Sequence, residues 1–203
     1  ETQFIPHLFV HTWSLAIEMH FYLIWGFVVW LLGRHQDNLA KFRSLIFAIS
    51  AAFFTGSFLT MFVRAFFVDN VSMIYFSSLT HSFPFFLGAM AATMTGIRET
   101  TIRFKKNVRL WSTKRSIVTM LVSAALLVLL MFTLKFDQRI TYLFGFILAS
   151  LFAIVMIYAA RVLNDQTPNA KEPAIINYLA DVSYGVYLFH WPFYIIFTQL
   201  MSN

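Results

Sequence analysis

Two apolar runs without a charged side chain restrict this chain more than any other feature. They cover residues 116–134 and 140–160. A helix needs about 20 apolar residues to cross the hydrocarbon core of a bilayer, and both runs have about that length. Only 12% of the chain is charged, against about 25% in a soluble domain. The sequence therefore predicts an integral membrane protein.

Four further segments have the length and hydropathy of membrane spans. We therefore predict an all-α fold, a polytopic transmembrane helix bundle of about six spans. The predicted spans are residues 9–32, 43–63, 80–97, 115–134, 139–162 and 178–200. Two of them carry a small residue at every fourth position, which predicts close helix packing in lipid. These residues are Gly88, Ala92 and Gly96 in the third span and Gly145, Ala149 and Ala153 in the fifth.

The basic residues divide unequally between alternate loops. The first, third and fifth connections hold 12 of the 15 Lys and Arg residues, and the second and fourth hold the other three. Basic loops stay in the cytoplasm, so we predict cytoplasmic odd loops, extracytoplasmic chain ends and a multi-pass protein of the cell (plasma) membrane. The basic run 98–115 is interpreted as a topology signal near anionic lipid. The alternative is that this run binds a phosphate-rich donor such as coenzyme A. Nucleic acid is not expected as a partner.

The chain contains no cysteine, which excludes disulfides, thiolate nucleophiles and cysteine metal sites. His7 and His11 have the helical spacing of metal ligands, but no HExxH motif accompanies them, so we predict no metal. The sequence also lacks a G-x-S-x-G elbow, a P-loop and a dinucleotide fingerprint. Since it begins at Glu1 without a signal-peptide pattern, we interpret residues 1–203 as a piece cut from a longer protein.

Glu18 is the carboxylate that the predicted spans place inside the membrane. An ionisable group at that depth is costly and indicates function, although a protonated structural glutamate is the alternative. Helical spacing puts Glu18 on one face with other polar and aromatic side chains. These are His11, Ser14, Tyr22 and Trp25.

A second polar stripe follows the last predicted span. It consists of Ser183, Tyr187, His190 and Tyr194. At 1.5 Å per residue, Glu18 and His190 both lie roughly 13–15 Å below the outer surface, near the midplane. If these helices are neighbours, the carboxylate and the imidazole suit general acid–base chemistry. His81 opens the third span and is predicted to be an interfacial cap or a substrate contact.

Three stretches resemble the motifs of the acyltransferase-3 family. Residues 11–25 (HTWSLAIEMHFYLIW) resemble its W-S-L-x-x-E-x-x-F-Y-L segment. Residues 80–89 (THSFPFFLGA) are similar to its short glycine-bearing helix start, and residues 179–192 (LADVSYGVYLFHWP) to its closing I-S-Y-x-x-Y-L-x-H-W-P segment. The residues of the first and middle motifs are most similar to those of the family's peptidoglycan O-acetyltransferase branch. The resemblance implies a core of roughly ten helices, of which this chain carries the last six.

The resemblance also implies an activity. The family moves an acyl group, usually acetyl from acetyl-CoA, to hydroxyls of an acceptor across the membrane, here an extracytoplasmic glycan such as peptidoglycan. Acetyl-CoA is a donor substrate, and no permanently bound cofactor is expected. The expected partners are the lipid bilayer, acyl-CoA, the glycan acceptor and a C-terminal extracellular SGNH-type domain in the full-length protein.

The family's glutamate corresponds to Glu18, and its closing histidine and tryptophan to His190 and Trp191. We therefore predict Glu18 and His190 as catalytic residues. The predicted substrate-binding residues are Ser14, Tyr22, His81, Tyr187 and Trp191. Met19 and His20 depart from the acidic or small residue and the glutamine that the family often has there. The family's arginine-and-histidine motif belongs to earlier helices and has no counterpart in this chain, so the fragment alone is expected to be inactive.

Two other functions remain open on the sequence alone. A proton-coupled transporter or flippase could use a buried glutamate and histidine as a proton relay. A membrane scaffold or sensor is the third reading. Consumption of acetyl-CoA separates an acyltransferase from both.

Overall fold

The structure is a computed structural model that describes residues 12–36, 38–68, 72–96, 100–135, 137–170 and 174–202. All regular elements within these ranges are helical, which confirms the predicted all-α fold. The helices are α1 (Trp13–His35), α2 (Leu39–Phe67), α3 (Ser72–Tyr75), α4 (Ser78–His81), α5 (Phe83–Thr95), α6 (Ile102–Leu110), α7 (Thr113–Thr133), α8 (Phe146–Gln166, preceded by a π-helical turn over Thr141–Gly145) and α9 (Ala174–Ser202).

Four of these described segments are long and apolar enough to cross a membrane. They are α1, α2, α7, and α8 together with its π-helical turn. Large apolar side chains on them are exposed, such as Leu23 at 67% and Phe132 at 76%. Exposed apolar surface of this extent suits contact with lipid tails rather than with water, as expected of a membrane protein.

Helices α5 and α9 occupy the third and sixth predicted spans. The third span, predicted over residues 80–97, is observed as the short helix α4 followed by the 13-residue helix α5. Thirteen residues rise about 20 Å, which is less than the roughly 30 Å hydrocarbon core. Helix α9 has 29 residues.

The chain forms two compact units. The smaller contains residues 1–20 and 169–203, and the larger contains residues 21–168. The boundary falls inside α1, so the first turns of this helix belong to the smaller unit together with α9.

In the larger unit, α2 packs along α5, and α7 packs along α8. Its buried apolar cluster consists of Met61, Ala65, Ile74, Phe83 and Tyr142. The buried hydroxyls there are satisfied by backbone carbonyls. Thr80 donates to the Ile74 carbonyl at 2.6 Å, and Ser57 donates to the Leu79 carbonyl at 2.5 Å. Such bonds remove the cost of an unpaired polar group in an apolar surrounding.

The predicted small-residue positions serve different purposes. A Cβ atom on Gly145 would lie 2.5 Å from Leu134 Cδ1, so a side chain packs closely there. A Cβ atom on Gly88 would meet nothing within 4 Å. Gly96 ends α5 with φ of 130°, a conformation that favours glycine. The close approach predicted from the spacing is therefore found at Gly145 and not at Gly88.

Candidate active site

A hydrogen bond between two hydroxyls joins the first and last motif segments. Ser14, in the first turn of α1, and Tyr187, in the middle of α9, bond through Oγ and Oη. Both side chains are half-buried, and both belong to the smaller unit. The two polar stripes predicted from helical spacing therefore meet at this pair.

His190 extends the connection by one turn of α9. Its Nδ1 lies 2.6 Å from the backbone carbonyl oxygen of Tyr187, and the two rings are 5.8 Å apart. A carbonyl oxygen only accepts a hydrogen bond, so Nδ1 carries the proton. In a neutral imidazole the lone pair then resides on Nε2. The His190 side chain is exposed.

Glu18 lies one turn beyond Ser14 on the same face of α1. Its side chain is half-buried. Within the described part of the smaller unit, its carboxylate makes no hydrogen bond or ion pair, and none joins it to His190.

The turn that follows His190 contains a proline within the helix. Pro192 has no backbone N–H, so α9 lacks the bond that residue 192 would donate to the Leu188 carbonyl. Trp191 is half-buried, and its ring lies 5.6 Å from that of Tyr194. Trp191 and Tyr194 therefore contact each other in the part of α9 that follows His190.

Tyr22 and His81, the other two predicted substrate contacts, belong to the larger unit. Tyr22 is 58% exposed and makes an edge contact with Phe21 at 6.1 Å. The half-buried His81 ring packs edge-on against Tyr75 and Phe146, at 5.2 and 5.0 Å. These contacts fix the orientation of the His81 ring.

His7 and His11, which have the helical spacing of metal ligands but were not predicted to bind a metal, lie outside the described residues. Among the residues described, no cluster of three His, Asp or Glu side chains could hold a metal ion.

One polar region of the larger unit was not among the sites predicted from the sequence. Asn107 Nδ2 donates to the Tyr158 hydroxyl at 3.1 Å beside a cavity of about 260 Å³. The sequence did contain an indication of this region, because Tyr158 and Ser150 are the only polar side chains between residues 146 and 160.

Comparisons with known proteins agree with the motif segments. The sequence matches the profile of the acyltransferase-3 family, described as an acyltransferase domain, over residues 1–203. It is also similar to the "Putative peptidoglycan O-acetyltransferase YrhL" of Bacillus subtilis (strain 168), with 24% identity over 198 residues. That alignment covers 97% of this chain and 30% of the relative, so the chain spans less than a third of the relative's length. No solved structure matches the chain. Because the family profile covers every residue, the chain belongs to the acyltransferase-3 family of membrane proteins.

Proposed function

We propose that the full-length protein is a membrane O-acetyltransferase. It moves an acetyl group from cytoplasmic acetyl-CoA to a hydroxyl of an extracytoplasmic glycan, with peptidoglycan as the favoured acceptor. The observation that carries the proposal is the connection from Ser14 through Tyr187 to His190, which unites the two segments that hold the family's glutamate and histidine. The acetyl group and the acceptor follow the name of the Bacillus subtilis relative, a putative peptidoglycan O-acetyltransferase.

In this proposal His190 is the general base. Its Nε2 lone pair accepts the proton of the acceptor hydroxyl while the hydroxyl oxygen attacks the thioester carbonyl carbon. A carbon–oxygen bond forms, the carbon–sulfur bond breaks, and the proton passes from the imidazolium to the leaving thiolate of coenzyme A. The Nδ1 bond to the Tyr187 carbonyl keeps the imidazole in the tautomer that this step requires.

Glu18 has the complementary role of binding the acceptor. A carboxylate without a partner in its own unit accepts hydrogen bonds from hydroxyls, which are the donors that a glycan presents. Its position one turn from Ser14 keeps it on the face that meets Tyr187. A half-buried position strengthens such a bond, because water competes less for the carboxylate.

Release of coenzyme A from reconstituted vesicles tests the function. Full-length protein in vesicles is supplied with acetyl-CoA on one side and a soluble peptidoglycan fragment on the other, and free thiol is measured over time. The wild type should release thiol only with both substrates present, and His190→Gln should lower the rate by at least about a hundredfold.

His20→Gln is the matched control, since His20 is an exposed histidine of α1 on the side opposite the Ser14 stripe, and its rate should equal that of the wild type. A wild-type protein that moves protons or solutes across the vesicle membrane without releasing thiol is a transporter, and the proposal is then wrong.

A further inference from the structure

Helix α6 is fixed against α8 by contacts at both of its ends. Phe104, 1% exposed, packs edge-on against Tyr158 at 5.3 Å, and Trp111 contacts the same ring at 5.7 Å. Gln166 Nε2 donates to the carbonyl oxygens of Val108 and Trp111, at 3.0 and 2.5 Å. The last carbonyls of a helix otherwise lack partners, so Gln166 closes this end. Helix α6 is thus an ordered part of the larger unit.

A cavity lies between this helix and Tyr158, and we name it the polar cavity because five of its seven lining residues carry a polar side-chain group. Its volume is about 260 Å³, and it is lined by Thr93, Met94, Thr101, Arg103, Phe104, Asn107 and Tyr158. Asn107 donates to the Tyr158 oxygen at 3.1 Å, which leaves the phenol proton and the second amide proton of Asn107 for a ligand. Together with the guanidinium of Arg103, these groups make a set of donors suited to an anion.

An apolar cavity adjoins the polar one. Its volume is about 310 Å³, and its lining is Ala91, Met94, Trp111, Ile154, Val155 and Tyr158. The two cavities share Met94 and Tyr158. Ile154 and Val155 precede Tyr158 by about one turn of α8, farther from the helix end at Gln166. The apolar cavity therefore extends about one turn from Tyr158 toward the middle of α8.

Charge and surface chemistry indicate what occupies these cavities. Residues 100–115 contain six basic and no acidic side chains. At the two ends of α6, Ile102 and Leu110 are 87% and 69% exposed. A short helix that carries basic residues and exposed apolar side chains is typical of the interface between lipid and water, where anionic headgroups attract Lys and Arg.

We propose that the paired cavities bind one anionic phospholipid. Its phosphate lies beside Arg103, Asn107 and the Tyr158 hydroxyl, and the upper segment of one acyl chain lies along Ile154, Val155 and Ala91. A cavity with hydrogen-bond donors, beside an apolar cavity that extends toward the middle of α8, matches the order of headgroup and acyl chain at a membrane surface. This proposal does not depend on the proposed acetyl transfer.

Lipid titration of the purified full-length protein tests the site. Fluorescent phosphatidylglycerol and phosphatidylcholine are each titrated onto the protein in a neutral detergent, at about 0.5 M salt, where the Debye length is about 4 Å and diffuse attraction is screened. Phosphatidylglycerol should bind more tightly. Arg103→Gln should weaken its binding about tenfold, whereas Lys105→Gln, which removes the same charge from an exposed position of α6, should weaken it by less than about twofold.

A second pair of variants tests the apolar cavity. Ala91→Leu fills the space for the acyl chain and should weaken binding of both lipids, whereas Ala92→Leu, at an exposed position of the same helix, should leave binding unchanged. Thermal melting of each variant verifies that it is folded. Equal losses for Arg103→Gln and Lys105→Gln, or no preference for phosphatidylglycerol, would overturn the proposal. Displacement of the lipid by soluble coenzyme A would assign the polar cavity to a nucleotide phosphate instead.

Discussion

Ser14 and Tyr187, 173 positions apart in the chain, bond to each other through their side-chain hydroxyls. The pair sets the register between the first turns of α1 and the middle of α9. In the antiparallel course that the predicted topology requires, Glu18 lies one turn to one side of this contact and His190 one turn to the other. These two side chains are then about 10 Å apart along the helix axes, and not at the equal depth that the sequence alone predicted. A donor thioester and an acceptor hydroxyl that meet between them could contact both residues.

The Ser14–Tyr187 pair should behave as one unit when it is mutated. Ser14→Ala and Tyr187→Phe each remove one hydroxyl and should lower stability by about 1 kcal/mol, because each breaks the hydrogen bond between the two half-buried side chains. The double variant should cost little more than either single variant. Thermal melting of the full-length protein in detergent measures the cycle. Tyr184→Phe, at a position that is 63% exposed, is the control, and additive losses would show that the two hydroxyls do not interact.

Glu18→Gln should abolish acetyl transfer without unfolding the protein. The amide keeps the size and some of the hydrogen bonding of the carboxyl group but has no negative charge. We expect a rate at least about a hundredfold lower, with an unchanged melting temperature. Asp181→Asn removes the same charge from an exposed position of α9 and should keep the wild-type rate. Normal turnover in Glu18→Gln would make Glu18 a structural residue.

Glu18 and His190 should act together in the transfer. If both contact one bound substrate, Glu18→Gln combined with His190→Gln should be hardly slower than the slower single variant, because residues that act as a unit lose activity non-additively. Initial rates of thiol release measure all four proteins. Losses that multiply in the double variant would mean that the two residues act in separate steps.

Gly145 and Gly88 should respond differently to the same change. Gly145→Ala brings a Cβ atom into contact with Leu134 Cδ1 and should destabilise the protein by about 1 kcal/mol, since overpacking forces side chains to move. Gly88→Ala meets open space and should stabilise α5 by up to about 1 kcal/mol through helix propensity. The two melting temperatures distinguish the cases. Leu134→Ala should reduce the cost of Gly145→Ala, and a cost that persists would place its cause elsewhere.

Accessibility labelling should show that the basic loops are cytoplasmic. In a cysteine-free background, Lys105→Cys on α6 and Asn70→Cys between α2 and α3 are treated with an impermeant thiol reagent in intact cells. The positive-inside rule predicts labelling at position 70 and protection at position 105 until the cells are opened. The reverse pattern would invert the topology and with it the expected side of the acceptor.

Sequence alone was sufficient to predict a helical membrane protein. The charge-free runs 116–134 and 140–160 are long enough to cross a bilayer as helices. Helices are expected there because a helix satisfies its own backbone hydrogen bonds in lipid. Helical periodicity was also sufficient to place Ser14 and Glu18 on one face and Tyr187 and His190 on another, because side chains three and four positions apart share a face. The sequence motifs around these residues resemble those of the acyltransferase-3 family and so indicated the family.

Which of these faces meet became known only from the packed structure. Periodicity shows which residues share a face of one helix, but it does not show how two helices are aligned against each other. The sequence therefore did not predict that Ser14 and Tyr187 bond to each other. The same limit applies to Gly88 and Gly145, which have similar spacing patterns but different surroundings. The cavity beside Tyr158 arises from α5, α6 and α8 together, since a cavity depends on the packing of separate segments, and no single segment of the sequence encodes it.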